Sequence, residues 1–246
     1  MLELKELSKN YRDFKAVDNV NLSINKGEIF SFLGVNGAGK TTTIKMIVGL
    51  LKASSGKVLI DGIDVAKNPL DAKQITGYIP DRPQIYEGLS AYEFLDFIAS
   101  LYKINNPKDQ ILELLEKYQL TEDRNELIET FSHGMKQRLA MCSALLPKPK
   151  LLVVDEPMVG LDPHGAKLLK ESFKKYAKEG MSIFLSTHSL GVAEELSDRI
   201  SLINKGKIIA VGNLEELRIK AGEENSNDDS SSLEQVFLQL TNDAYT

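Results

Sequence analysis

The chain has 246 residues, 42% of them hydrophobic and 26% charged, with a formal net charge of −5. That profile fits one large globular domain, or a domain with a subdomain, and lacks the basic excess with which nucleic-acid binders neutralise phosphates. No apolar run reaches the roughly 18 residues of a membrane-spanning helix, and the charged start MLELKELSKNYRDF does not read as a secretory leader.

In chain order, EIFSFLG (28–34) reads as a buried strand that feeds a glycine-rich loop, and TTTIKMIVGLL (41–51) as the helix after it. KVLIDG (57–62) and ITGYIP (75–80) are short strand candidates punctuated by glycine or proline. From Tyr92 to Leu146 the pattern turns helical, with apolar residues at helical spacing in YEFLDFIASLY and ILELLEKYQL. The one cysteine, Cys142, lies in the apolar run LAMCSALL and reads as a buried structural thiol. KLLVVDEP (150–157) and SIFLSTH (182–188) are unalternating apolar strands, as expected in a parallel sheet covered on both faces. RISLINKGKIIAVG (199–212) reads as a hairpin around Asn204, Lys205 and Gly206. The segment 222–232 is a polar linker with the composition of disorder. Beyond it Leu233, Val236, Phe237 and Leu240 recur at helical spacing, which predicts a short amphipathic helix over 233–240. The expected class is α/β: a sheet domain with a helical insertion and a tethered tail.

Residues 34–41 read G-V-N-G-A-G-K-T and fit G-x-x-x-x-G-K-[ST], with a strand before and a helix after. Gly34, Gly37 and Gly39 let the loop wrap, so that the N–H groups of Asn36, Ala38, Gly39, Lys40, Thr41 and Thr42 converge on one anion at the positive end of the helix. Lys40 brings a point charge to the outer phosphates, and the Thr41 hydroxyl is a ligand for Mg²⁺. The loop therefore predicts a nucleoside triphosphate. Asp155, at the end of an apolar strand, is placed to reach the metal, and Glu156 beside it to orient and deprotonate a water. Taken alone, that acidic pair also reads as the opening of a turn before Pro157.

Together with FSHGMKQR (131–138), GLDP (160–163) and STHSL (186–190), in this order along the chain, these motifs resemble the nucleotide-binding subunit of ATP-binding cassette transporters. The resemblance covers essentially the whole length. It implies a P-loop NTPase sheet core with an N-terminal antiparallel β subdomain and an inserted α-helical subdomain. The cassette would occupy 1–220, with the insertion at about 82–146 and the tail at 221–246. It implies ATP and Mg²⁺ as cofactors and ATP hydrolysis as the activity. The implied partners are a transmembrane permease and a second nucleotide-binding subunit, in a homodimer or heterodimer. The implied location is cytoplasmic, at the inner face of the membrane. The tail LEQVFLQLT (233–241) looks like that of exporter-type cassettes.

Residue by residue, the resemblance gives Tyr11 the adenine, with Phe14 as runner-up and a core tyrosine on a strand as the plain alternative. Ser132 and Gly134 would cap the γ-phosphate held by the other protomer, and Asp162 would lie in the segment joining the two sites. His188 would bond the γ-phosphate and orient the water. Two places depart from the family pattern. His133 stands where the signature usually has glycine, and Met135 where it has glutamine. Asp81 stands where the family has glutamine or glutamate as a sensor that reaches Mg²⁺, and Gln84 lies three residues on. Two alternatives remain: a cassette ATPase acting on DNA or ribosomes, and a regulatory module that binds ATP with little turnover.

Overall fold

The computed structural model describes residues 1–221 and 233–243, so the predicted linker 222–232 lies outside the described residues. Two sheets organise the chain. β1 (Leu2–Tyr11) pairs antiparallel with β2 (Phe14–Ile24) and with β4 (Ser55–Ile60), and β5 (Ile63–Asp64) completes the order β2-β1-β4-β5. The second sheet runs β10 (Lys207–Gly212), β9 (Arg199–Asn204), β3 (Ile29–Leu33), β8 (Ser182–Thr187), β7 (Leu151–Asp155), β6 (Thr76–Ile79). It is parallel except for the β9–β10 hairpin at one edge. Every residue of β3, β7 and β8 is buried, which is why their sequences do not alternate. The hairpin turns on Lys205 and Gly206, both with positive φ, the geometry of a tight two-residue turn.

Helices cover the second sheet. α1 (Lys40–Ile47) follows β3 and is shorter than its apolar run suggests, because the chain turns left-handed at Gly49, φ 70°. After α2 (Pro69–Gln74) and β6, an insertion carries α3 (Ala91–Leu101), α4 (Lys108–Lys117) and α5 (His133–Leu145) before the chain returns as β7. Ser90 and Glu93 form a reciprocal cap that starts α3. α6 (Pro163–Lys178) leads to β8, α7 (Leu190–Leu196) to β9, and α8 (Leu214–Lys220) follows β10.

Three apolar clusters hold these layers. One joins the insertion to α6 and the sheet through Leu115, Leu139, Leu152 and Phe173. Cys142 is fully buried within it, and burial pushes its thiol well above the ordinary range. A second fills the space between the two sheets around Phe30, Phe32, Ile44 and Phe184. The third gathers Leu33, Ala193, Leu202 and Leu217 under the tail. There α9 (Leu233–Asp243) docks, three residues longer than predicted. Leu233 is fully buried and Phe237 packs against the cluster, whereas the side chains of Val236 and Leu240 lie outside the described ones.

The register delivers the functional residues to one place. Leu33 of β3 pairs with Thr187 of β8, and Asp155 of β7 with Ser186 of β8. The carboxyl ends of the three central strands are therefore level, and the segments leaving them share one rim, where open α/β sheets bind ligands.

Candidate active site

The loop after β3 is shaped by glycine where no other residue fits. Gly39, the N-cap of α1, has φ 107°, and a Cβ there would lie 2.5 Å from the Ala16 carbonyl oxygen. Gly37 has φ 81° with open space in front of it. No side chain caps α1, so its first N–H groups face the cleft, as anion binding requires. Gly34 and Ala38 are buried beneath the loop, while Asn36 and Gly37 are exposed on its crest.

The buried Lys40 lies across the loop. Its Nζ donates to the Gly34 carbonyl at 2.7 Å and lies 3.4 Å from the Val35 carbonyl. It also stands 3.4 Å from Glu156 Oε1. The other carboxylate oxygen, Oε2, meets His188 Nδ1 at 2.9 Å. Glu156 thus bridges the lysine of the first loop and the histidine after β8. It does so from a left-handed backbone, φ 51°, a conformation that costs a non-glycine residue roughly 1–2 kcal/mol. That reversal, held by the Glu156 N–H to the Ser186 carbonyl at 3.1 Å, turns the carboxylate off the strand line into the cleft.

Asp155 is buried and accepts a hydrogen bond from the Ser186 hydroxyl, with the Thr41 hydroxyl in the same cleft. Burial raises its carboxyl above the usual range; the two hydroxyls oppose this, and the neighbouring Glu156 and Asp81 charges add to it. A cleft of about 410 Å³ gathers these groups, lined by Tyr11, Phe14, Asn36, Gly37, Gly39, Lys40, Thr41, Thr42, Asp81, Asp155 and Glu156. Asp81, Thr41 and Asp155 also line the adjoining groove together with Gln84, which is absent from the lining of the first cleft. Tyr11 is 47% and Phe14 64% exposed, so both rings flank the cleft mouth and neither is a core aromatic.

The residues present fit a magnesium ion. Thr41, Asp155 and Asp81 are hard oxygen donors on one wall. Among the described residues no cluster of three or more His, Cys, Asp or Glu forms a self-sufficient metal cage. A centre that takes only one or two carboxylates and completes its shell with phosphate and water suits Mg²⁺.

Gly34 and Ala38 lie under the loop and His188 reaches the cleft only through Glu156, whereas Ser132, Gly134 and Asp162 belong to the starts of α5 and α6. Ser132 is exposed and caps α5, its hydroxyl accepting from the Met135 N–H at 3.3 Å. Gly134 sits in the first turn of α5, beside the segment 160–161. Asp162 caps α6, accepting from the Gly165 N–H at 2.6 Å. The sequence reasoning did not foresee where His133 packs. Its ring lies on Gly160, where a Cβ would come within 2.2 Å of the imidazole Cδ2. Gly160 in GLDP was the only signal, and it does not name its partner.

The family model described as ABC transporter matches residues 17–159. The bacitracin transport ATP-binding protein BcrA of Bacillus licheniformis is 40% identical over 85% of this chain and 68% of its own length. A solved ATP-binding subunit of an ABC transporter superposes with a TM-score of 0.91 at 33% identity, over 98% of this chain and 99% of that one. The cassette MJ0796, solved as a dimer in a post-hydrolysis state bound to ADP and Pi, gives 0.81 at 26% identity, over 87% of this chain and 99% of its own. With the phosphate loop and the paired acids sharing one cleft and the histidine bonded to Glu156, the chain belongs to the ABC transporter family, as an ATP-binding subunit that hydrolyses ATP.

Proposed function

We propose that this chain is the motor subunit of an exporter, closing as a dimer around two Mg-ATP and driving a separate transmembrane permease from the cytoplasmic face. The observation that carries the reading is the Lys40–Glu156–His188 bridge at the rim of the central strands. A carboxylate between a phosphate-binding cation and an imidazole is where an attacking water has to be held. Likeness to BcrA and to the dimeric MJ0796 cassette supports the exporter and dimer parts. No described helix is long and apolar enough to cross a membrane.

In this reading the loop N–H groups and Lys40 hold the β- and γ-phosphates, and a face of Tyr11 or Phe14 takes the adenine. Thr41 and Asp155, with Asp81 nearby, hold Mg²⁺, which when bound draws charge from the phosphate oxygens. Glu156 accepts a proton as the water oxygen bonds to the γ-phosphorus and the bond to the β–γ bridging oxygen breaks. His188 orients that water. Ser132 and Gly134 of a second copy donate to the γ-phosphate from the start of their α5, and Asp162 lies where the two sites communicate. The cassette body spans 1–220 with 82–146 as its inserted helical part, and 221–246 forms the tail.

Sedimentation of Glu156→Gln with and without Mg-ATP, beside the wild-type ATPase rate, tests this. Dimerisation only with Mg-ATP, together with wild-type turnover, is the expected result. A variant that stays monomeric, with a wild type that binds ATP without turnover, would overturn the reading in favour of a regulatory module or a chain that works only with a different cassette.

A further inference from the structure

We propose that Phe237 of the tail helix is a positioning residue for His188. The inference rests on the role given to His188 above. His188 follows β8 directly and precedes α7, and its side chain is 55% exposed. Its polar tie is the contact between Nδ1 and Glu156. Behind it the segment is held by two short bonds. The Ser189 N–H donates to the Thr187 hydroxyl at 3.0 Å, and the Ser189 hydroxyl caps Val192 at 3.4 Å. These bonds fix where α7 begins, not which way the imidazole points.

The remaining constraint is apolar. A cleft of about 320 Å³ beside the histidine is lined by Leu33, Gly34, Val35, Asn36, His188, Leu190 and Phe237. One wall is therefore the start of the phosphate loop, another the first turn of α7, and a third the tail. Phe237 packs in the cluster that includes Leu190, Ala193 and Leu233, so α9 presses on the helix that starts two residues after His188. Without the Phe237 ring the cleft beside the histidine would widen, and the imidazole would gain space to swing from the carboxylate. Misplacing a group that orients water lowers turnover more than it lowers ATP binding.

The test is a double-mutant cycle on the full chain, with ATPase kinetics and the His188 imidazole NMR shift as readouts. That signal is assigned by its loss in His188→Ala, since the chain has only three histidines. Phe237→Ala should lower kcat about tenfold, with KM for ATP within about twofold, and move the His188 shift. Phe237→Leu, which refills most of the volume, should restore over about half of kcat. In a His188→Ala background Phe237→Ala should cost nothing further. An equal loss in both backgrounds, or an unmoved His188 signal, would overturn the inference. If Phe237→Ala does not fold, Phe237→Leu and Phe237→Met run the same cycle with smaller effects. If His188→Ala alone keeps wild-type turnover, the reading of His188 fails, while the shift still reports whether Phe237 sets its orientation.

Discussion

The cleft at the strand ends and the start of α5, the two places to which the proposed function brings phosphate, are built differently. The cleft is assembled within one chain: a left-handed glycine at Gly39, a left-handed glutamate at Glu156, and a buried aspartate bonded to the Ser186 hydroxyl. The start of α5 is a plain helix end, with Ser132 exposed and its hydroxyl occupied by its own first turn. Strain and burial concentrate where one chain must hold a geometry alone. In the proposed dimer a second copy would complete the geometry, and there a well-capped exposed helix end suffices.

Four experiments would break or sharpen that contrast, from the largest effect down. Glu156→Gln keeps the shape of the bridge and removes the proposed base. Turnover should fall by about 10²–10⁴ with ATP affinity retained, as read by single-turnover hydrolysis. A residual rate near wild type would move the base elsewhere. Gly39→Ala puts a Cβ 2.5 Å from the Ala16 carbonyl in a backbone region closed to alanine. A loss of more than about 2 kcal/mol in urea unfolding should accompany loss of ATP binding. An intact affinity would show that the loop does not need its left-handed turn.

Ser132 separates the two regions most directly. Ser132→Ala should cost about 1 kcal/mol through the lost cap, with a fall in ATPase of its own. Ser132→Asp keeps a capping oxygen but sets a negative charge toward phosphate, so stability should recover while turnover does not. Recovery of both would make Ser132 a cap and nothing more.

The smallest effect concerns Asp155. An acid whose folded-state pKa is raised binds more protons folded than unfolded. Its favourable contribution is complete below the unfolded-state pKa and is lost as pH rises through the folded-state value. At neutral pH the metal-free chain therefore carries a buried charge at a cost. Asp155→Asn should raise the metal-free urea midpoint near neutrality, a gain that disappears in acid, while Mg²⁺ ceases to stabilise the variant with nucleotide. A midpoint that falls instead would mean the hydroxyl pair from Ser186 and Thr41 outweighs burial.

Much of the cleft was legible because its chemistry constrains composition. A loop that must wrap a phosphate needs its glycines, and parallel strands buried on both faces spell unbroken apolar runs. Of the N-terminal sheet only β4 was legible as a strand, in KVLIDG. The β1–β2 register shifts near Leu7 and Lys9 blur the alternation that marks a half-buried strand. The left-handed backbone at Glu156 left no mark, since glycine, the usual flag, is absent. Nor did the seat of His133 on Gly160, a contact between residues 27 positions apart that only the packed fold creates. Asp162 reads as a motif residue, yet in one chain it acts first as a helix cap.

The bonds from Lys40 to its own loop carry a consequence for how nucleotide arrives. An ammonium already paired with two backbone carbonyls and a carboxylate projects little field into solution. Binding is then an exchange of partners rather than the capture of an anion by a bare cation. A lone inorganic phosphate meets only part of the loop and so gains few contacts against those three partners. A triphosphate, held by the loop amides along its length, brings enough. The lysine thus screens its visitors by how many contacts they can make at once, and association should depend only weakly on ionic strength.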